Sequence, residues 1–316
     1  MSLKTTSQRK LTGSRFNSTN AATQAITGTT KAIFGYGYGG SNTNLSITNL
    51  VSNTGVVATD TTGVGTARRE LAAAGYGSDK AIFGYGNTGI NVSMTNLVSN
   101  TGTVANDVTG VGTVRLGLAA AGYGGDKAIF GYGYNGSSTN YSMTNLVSNT
   151  GVVATDTTGV GTSRFYLAVA GYGTDKAIFG YGNNGGNLSM TNLVSNMGVV
   201  ATDTTGVGTA RHALAAAGYG SDKAIFGYGD SSGNVSVTNL VSNTGVVATN
   251  TTGVGTARYT PSAAGYGSDK AIFGYGHNGA VVSMTNLVSN TGVVANDVTG
   301  VGTARYILAA AGYSTS

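Results

Sequence analysis

The sequence predicts an all-β protein made of six copies of one unit, because it shows a constant period, strand-like runs and a permuted final unit. The heptapeptide KAIFGYG begins at residues 31, 80, 127, 176, 223 and 270, at spacings of 47 or 49 residues. A constant period of this length is typical of propellers, solenoids and arrays. Each unit has four short runs rich in Val, Ile, Ala, Thr and aromatic residues, separated by Gly, Asn, Asp and Ser. This pattern predicts four strands joined by tight turns.

The two ends of the repeat region favour a closed ring over an open solenoid. The first unit begins at KAIFGYG, and the last LAAAGY run, at 308–313, stands alone where it can complete that first unit. Ala and Gly in these runs allow close approach near a crowded axis, and closure removes most exposed strand edges. The sequence therefore predicts a six-bladed β-propeller of four-stranded antiparallel blades over residues 31–316, closed by the C-terminal strand. The alternative is a seven-bladed ring in which Arg15 belongs to a degenerate extra blade, although Arg15 lies 16 residues before Lys31 where every other copy has 12.

Residues 1–30 form a second predicted region, a basic and polar N-terminal arm. Lys4, Arg9, Lys10 and Arg15 occur there without any acidic residue, so the arm carries +4 of the net charge of +5. The arm either packs on its own ring or is held by another subunit, and we expect these four residues to contact a partner protein. The rest of the chain is almost neutral and has no basic stripe interleaved with aromatics, so we expect no nucleic-acid partner.

The composition argues against several functional classes. The chain has no cysteine, no apolar run long enough to span a membrane and no apolar segment typical of a signal peptide. Its two histidines, His212 and His277, occupy non-repeated positions in different units. Catalytic and metal sites need several converging side chains, whereas this chain repeats the same residues in every unit. We therefore expect a protein without enzymatic activity, cofactor or metal.

Six repeated arginines follow the TGVGT motif by one residue. Each lies eight positions after an Asp, or after Asn250 in one copy, and we expect the Gly-rich turn to bring each guanidinium onto the carboxylate of its own unit. A ring of arginines that binds an anion on the axis is the alternative. The arginines are Arg68, Arg115, Arg164, Arg211, Arg258 and Arg305.

Two segments of the unit vary between copies, namely the loop between the second and third strands and the residue pair after each repeated arginine. In an antiparallel blade both segments lie on one face. Tyrosines outside the repeated GYG motif fall in or beside these segments, together with Asn, Ser and Gly, a composition typical of binding surfaces. Unconstrained drift is the other interpretation. The predicted ligand or partner face comprises Tyr38, Tyr134, Tyr141, Phe165, Tyr166, His212, Tyr259, His277 and Tyr306, of which Phe165, Tyr166, Tyr259 and Tyr306 are expected to rim the axial opening.

The order of elements in the unit resembles the kelch repeat: an Arg, two variable residues, an apolar strand, a short turn, a second strand ending in GYG, and two outer strands. Kelch blades form propellers. The motifs KAIFGYG, TNLVSNTGVVATDTTGVGTAR and LAAAGYG are similar to motifs in repeat proteins of tailed bacteriophages, including cyanophages. The resemblance implies a virion structural protein, associated with tail or capsid, that contacts other virion proteins through its arm and a host-surface glycan or protein through its variable face. A carbohydrate-binding lectin with a site in or between blades is the alternative.

Overall fold

The computed structural model describes residues 29–40 and 42–314, which form nineteen strands in six antiparallel sheets and contain no helix. Each sheet combines an inner strand of the AAAGY type, a middle strand KAIFG and a third strand TNLV. An all-β fold of six repeating sheets is therefore confirmed, and its arrangement is propeller-like. The arm residues Lys4, Arg9, Lys10 and Arg15 lie outside the described residues.

The strands divide among the six sheets in chain order, except that the first sheet also takes the last two strands. Sheet 1 holds β1 (Lys31–Gly39), β2 (Asn44–Val51), β18 (Arg305–Tyr306) and β19 (Ala309–Tyr313). Sheet 2 holds β3 (Ala72–Tyr76), β4 (Lys80–Gly84) and β5 (Thr95–Val98). Sheet 3 holds β6 (Ala119–Tyr123), β7 (Lys127–Gly131) and β8 (Thr144–Val147). Sheet 4 holds β9 (Ala168–Tyr172), β10 (Lys176–Gly180) and β11 (Thr191–Val194). Sheet 5 holds β12 (Ala215–Tyr219), β13 (Lys223–Gly227) and β14 (Thr238–Val241). Sheet 6 holds β15 (Ser262–Tyr266), β16 (Lys270–Gly274) and β17 (Thr285–Val288).

The prediction of four regular strands in each sheet is wrong, because the fourth segment does not form a continuous ladder. In sheet 2 it meets β5 only through isolated bridges, from Val104 to Val98 and from Val108 to Thr95. Between the two bridges the segment advances four residues (104 to 108) and β5 three (95 to 98). This extra residue interrupts the pairing, as in a β-bulge. Sheet 1 has four strands only because two short strands, β18 and β19, pair with β1 one after the other.

The buried asparagine of the third strand fills that interruption. The Asn96 side-chain amide donates hydrogen bonds to the Ala105 carbonyl oxygen at 3.0 Å and to Asp107 Oδ1 at 2.9 Å. Asn96 is fully buried, so these bonds offset the cost of removing its amide from water. The fourth segment is consequently held by a side chain where a backbone ladder is missing.

Packing between sheets depends on large aromatics placed against glycine. Phe130 of sheet 3 is fully buried against sheet 2, with its ring centroid 5.2 Å from that of Tyr85. A Cβ atom on Gly84 would lie 2.7 Å from Phe130 Cζ, so only glycine permits this approach. The same Phe, Tyr and Gly positions recur in every unit, which explains why KAIFGYG varies so little.

Each inner strand packs against the inner strands of two other sheets. β3 contacts β6, β6 contacts β9, β9 contacts β12, β12 contacts β15, β15 contacts β19, and β19 contacts β3. Together they line a central cavity of about 280 Å³. The last strand, β19, pairs with β1 from Tyr313 opposite Lys31 to Ala309 opposite Gly35.

Candidate binding surface

The repeated arginines are structural groups between neighbouring sheets. Arg68 is fully buried and donates to the Tyr85 carbonyl oxygen at 2.9 Å and to Asn96 Oδ1 at 2.7 Å, both in sheet 2, where its neighbour Arg69 is paired, so its link to sheet 1 is the contact with Tyr36. Its guanidinium also lies 4.3 Å from the ring centroid of Tyr36 in its own unit, a favourable cation–π contact. Because every copy is fully buried among such partners, the alternative of an arginine ring that binds an axial anion is wrong.

The expected pairing of each arginine with the acid of its own unit is also wrong. Arg68 Nη1 lies 3.9 Å from Asp107 Oδ1, in the following unit, rather than beside Asp60. Asp107 is held beside Arg68 by a hydrogen bond from the same segment of chain, because the Thr66 hydroxyl donates to its Oδ2 at 2.6 Å. Partial burial disfavours ionisation of Asp107, but hydrogen bonds from Thr66 and Asn96 and the charge of Arg68 hold its pKa below the usual value.

Two junctions depart from this pattern. Arg211 faces Asn250 where the other units have Asp, and the Asn250 amide donates to the Thr209 hydroxyl at 2.6 Å. At the junction of the last unit with the first, Arg305 donates to Asn49 Oδ1 at 2.7 Å, but its Nε is the one buried side-chain nitrogen without a partner among the described residues. Both junctions nevertheless keep the arginine fully buried.

The two variable segments of each unit lie side by side at the centre of one face, which we call the variable face. Arg69, the first residue of one variable pair, forms a bridge with Asn87, the first residue of the varying loop of the same sheet. Phe165 with Asn183 and Tyr306 with Tyr38 repeat this arrangement. The variable face is therefore built by the same backbone contact in each sheet, whatever side chain it carries.

The second residue of each variable pair is linked to the equivalent residue of a neighbouring sheet by a backbone hydrogen bond. Tyr166 N–H donates to the Gly117 carbonyl oxygen at 2.8 Å, and Ala213 N–H donates to the Tyr166 carbonyl oxygen at 2.8 Å. Equivalent bonds connect Glu70 with Ile307, Gly117 with Glu70, and Thr260 with Ala213. Side chains at these positions can differ between units, since these backbone bonds use only N–H and C=O groups.

These six positions adopt left-handed backbone conformations, with φ between 47° and 62°. Glycine adopts this region at little cost, but for a β-branched residue it is strained. Thr260 and Ile307 occupy it with φ of 49° and 47°. Backbone strain of this kind clusters at functional sites, where the side chain is retained for another reason.

Aromatic side chains cover the variable face in two groups. In the first, the ring centroids of Tyr134 and Phe165 lie 4.3 Å apart and those of Phe165 and Tyr166 5.1 Å apart, with His212 6.2 Å from Tyr166. In the second, His277 lies 5.1 Å from Tyr259 and 5.3 Å from Tyr306, whose ring is 5.8 Å from Tyr38. Residues from different sheets are thus brought together.

A cleft of about 310 Å³ opens between the two groups, and we call it the central cleft. Its lining contains five of the nine predicted site residues, together with polar and apolar members of the variable pairs. The lining residues are Tyr38, Arg69, Glu70, Tyr166, His212, Ala213, Tyr259, Thr260, Tyr306 and Ile307.

The floor of the central cleft holds a buried carboxylate. The Glu70 side chain is 10% exposed and its Oε1 lies 3.5 Å from Arg69 Nε. The Tyr166 hydroxyl, which belongs to another sheet, donates to Glu70 Oε2 at 2.6 Å. Burial raises the pKa of Glu70 despite the Tyr166 hydrogen bond and the Arg69 charge, and burial together with Glu70 also raises the pKa of Tyr166. Tyr166 therefore holds the cleft floor together and is not freely replaceable.

Arg69 forms one wall of the cleft. Its guanidinium lies 4.6 Å from the ring centroid of Tyr38, and its Nη1 donates to Asn44 Oδ1 at 3.3 Å. The side chain is 30% exposed, so it remains accessible from the cleft. Arg69 and Glu70 cancel in charge, which leaves the cleft close to neutral.

The other predicted site residues lie beside the cleft or apart from it. Phe165, Tyr134 and His277 pack against its lining without entering it. Phe165 therefore does not rim the opening, contrary to the prediction, because it turns towards Tyr134. Tyr141 belongs to neither aromatic group in the part of the chain that the structure describes.

Five polar and aliphatic lining residues were missed by the selection of aromatics: Arg69, Glu70, Ala213, Thr260 and Ile307. All five belong to the variable pairs, so the variation between units was the signal that could have found them. What the sequence did not indicate is that Glu70 and Tyr166, 96 residues apart, meet across the centre.

The opposite face, which carries the turns between inner and middle strands, is called the turn face. Lys80 and Asp79 pair there at 2.7 Å, with 44% of the lysine side chain exposed, and four other turns repeat this pair. Such exposed pairs contribute little to stability. Thr29 reaches the central cavity at this face, where its carbonyl oxygen accepts a hydrogen bond from Ser268 N–H at 3.2 Å.

No cluster of three or more His, Cys, Asp or Glu side chains able to hold a metal ion occurs within residues 29–40 and 42–314. Over the same residues no helix has the length and apolar character needed to cross a membrane. No protein-family model and no curated protein matches the chain.

Proposed function

We propose that the chain is a non-enzymatic structural protein of a phage virion, in which a closed six-bladed propeller presents its variable face to a host surface or to a neighbouring virion protein. The observation that carries the binding role is the central cleft, where side chains that differ between units meet, while the framework around it repeats. The virion assignment depends on the similarity to repeat proteins of tailed phages.

Contacts at the last junction support the closed propeller. β19 pairs with β1 and packs between β3 and β15. The Arg305 guanidinium, in sheet 1, lies 4.3 Å from the ring centroid of Tyr275 in sheet 6, just as the Arg68 guanidinium lies 4.3 Å from that of Tyr36 between sheets 2 and 1. In this proposal the bridged segment of each sheet takes the place of the fourth, outermost strand of a blade.

The arm is proposed to reach its partner on the side opposite the variable face. It joins the described chain at Thr29, which lies on the turn face next to the central cavity. Lys4, Arg9, Lys10 and Arg15 would then bind other virion proteins there, leaving the central cleft free. Anchoring and display thus occupy different faces.

The histidine environments support a role without catalysis. His212 Nδ1 is hydrogen-bonded to Asn187 Oδ1 at 2.8 Å, and His277 Nδ1 accepts a hydrogen bond from Gly279 N–H at 3.1 Å. Among the residues that the structure describes, neither has a carboxylate or hydroxyl partner that would make it a general base acting on a nucleophile. We therefore assign both to the binding surface.

A carbohydrate-binding lectin is the second candidate function. The observation that favours it is the lining of the central cleft, which combines aromatic rings with hydrogen-bonding groups in a volume at the lower end of the range for small-ligand sites. A lectin of this kind would have one site, because the lining residues are not repeated.

Particle association tests the virion assignment. Assembled particles are separated from free protein on a density gradient, and the chain is quantified in each fraction by mass spectrometry. We expect it in the particle fractions, and a variant with Lys4, Arg9, Lys10 and Arg15 changed to Gln should stay folded but move to the free fractions. Recovery of the unmodified chain only as free monomer would contradict the proposal.

A further inference from the structure

We propose that the central cleft is a single binding site for a neutral saccharide, or for one neutral sugar residue of a longer glycan. This inference depends on the proposal that the variable face is the binding face. It goes further by naming one ligand class and one site per chain.

The aromatic walls match the apolar side of a sugar ring. A pyranose has a C–H face that packs on aromatic rings and a periphery of hydroxyl groups. Tyr306 lies 5.8 Å from Tyr38 and 6.3 Å from Tyr259, in edge-to-face arrangements with interplanar angles of 72° and 73°. All three rings are partly exposed at the cleft, so they offer rigid apolar area at low entropic cost.

Hydrogen-bonding capacity is left over around these walls. The hydroxyls of Tyr259 and Tyr306 have no hydrogen bond within the described residues, and burial raises their pKa, which keeps them protonated at neutral pH. The Arg69 guanidinium has five N–H groups. Its contacts in the described part of the chain are with Asn44, Glu70 and the face of Tyr38, which leaves further N–H groups for sugar hydroxyls.

The charge of the cleft selects a neutral ligand over an acidic one. Arg69 is compensated by Glu70, whose carboxylate lies 3.5 Å from its Nε. A uronate or a sialic acid would need an uncompensated cation and would be repelled by Glu70. A neutral sugar needs only donors and acceptors, and the cleft supplies both.

The retained strain also favours a ligand site. Ile307 and Thr260 keep β-branched side chains at left-handed positions, although Gly117 stands at the equivalent position of another sheet. Both line the cleft between the aromatic walls and the floor. A position that only joined backbones would gain from glycine, so these side chains are explained by contact with a ligand.

The test uses the full chain on an array of immobilised neutral oligosaccharides of hexoses, deoxyhexoses and N-acetylhexosamines, with sialylated and uronate-containing oligosaccharides as the second arm. We expect binding to neutral glycans only, and titration calorimetry with the best binder should give one site per chain. The variant Tyr259→Ala/Tyr306→Ala should lose at least about tenfold in affinity, whereas Tyr141→Ala, which changes an aromatic that borders the varying loop but lies outside the cleft, should stay within about twofold.

Four outcomes would overturn the saccharide site: no glycan bound, acidic glycans preferred, several equivalent sites per chain, or full affinity in the Tyr259→Ala/Tyr306→Ala variant. Adsorption to host cells separates this failure from failure of the proposed function. If the double variant loses adsorption but the chain binds no glycan, the variable face binds a protein and only the saccharide site is wrong. If the folded double variant keeps both activities, the variable face itself is wrongly assigned.

Discussion

Neighbouring sheets are joined both at the junctions that hold the repeated arginines and on the variable face, but different chemical groups join them in the two regions. At the junctions a side chain joins the two sheets, as when Arg164, hydrogen-bonded to Asn192 of sheet 4 at 2.7 Å, packs 4.4 Å from the ring centroid of Tyr132 in sheet 3. On the variable face the backbone makes it, as when Tyr166 N–H donates to the Gly117 carbonyl oxygen. Residue identity is therefore fixed at the junctions, whereas on the variable face it is free to serve binding.

This difference explains how nearly identical units produce one asymmetric site. Six equal sheets would present six equal surfaces. Because a repeated backbone hydrogen bond joins the sheets at the centre, each unit can contribute a different side chain there, and Glu70, Tyr166 and Tyr306 come from three different sheets. The proposed function is then concentrated where the side chains differ between units.

Removal of residues 305–316 should have the largest effect on the framework. The deletion takes away β18, β19 and the buried Arg305, leaving β1 without its inner neighbour. We expect loss of cooperative thermal unfolding and aggregation through the exposed strand edge, measured by calorimetry and light scattering. A truncated protein that melts like the full chain would show that the last junction does not hold the fold together.

Replacement of one junction arginine should come next. Arg164→Ala leaves the Tyr181 carbonyl oxygen and Asn192 Oδ1 without their buried donor, and removal of one partner from a buried charged network costs about 3–5 kcal/mol. Chemical denaturation measures the loss. The control on the variable face is Tyr259→Ala, whose ring is partly exposed and whose hydroxyl has no hydrogen bond within the described residues, and it should change the free energy of unfolding by less than about 1 kcal/mol. Equal losses would remove the distinction between the two regions.

The sequence predicted those parts of the molecule that depend on repetition. The number of sheets, their strand order and the position of both variable segments on one face follow from the period and the alternation of the chain. It could not predict that Arg68 reaches the acid of the next unit, because identical repeats make partners within and between units indistinguishable. Nor did it show the Asn96 bridge across the bulge, which depends on a one-residue change of register.

The junction at Asn250 offers a stabilising change. Asn250→Asp would give Arg211 the carboxylate that the other units place there, and we expect a gain of about 1 kcal/mol at neutral pH. The equivalent carboxyls have a lowered pKa in the folded state, so the gain should be present above the pKa of the unfolded chain and disappear as the pH falls through the folded value. Denaturation at neutral and acidic pH measures it. A gain that persists or grows in acid would refute the carboxylate contact.

A smaller gain is expected on the variable face from relief of strain. Ile307→Gly removes a β-branched side chain at φ of 47° and should raise the free energy of unfolding by up to about 1 kcal/mol. The converse change, Gly117→Ala at φ of 62°, should lower it by a similar amount. If Ile307→Gly destabilises the protein, Ile307 is a packing residue rather than one retained for a ligand.

The central claim is that the framework carries stability and the variable face carries binding. Its most direct test measures adsorption to host cells and unfolding together for two variants, Tyr259→Ala/Tyr306→Ala in the cleft and Tyr172→Ala in the framework, where the tyrosine is 4% exposed. We expect the cleft variant to lose binding with an almost unchanged melting temperature. The framework variant should unfold several kcal/mol more easily, in line with the about 3–5 kcal/mol typical of large aromatic truncations, and its folded fraction should bind normally. The opposite result, a destabilised cleft variant that still binds fully, would contradict the account.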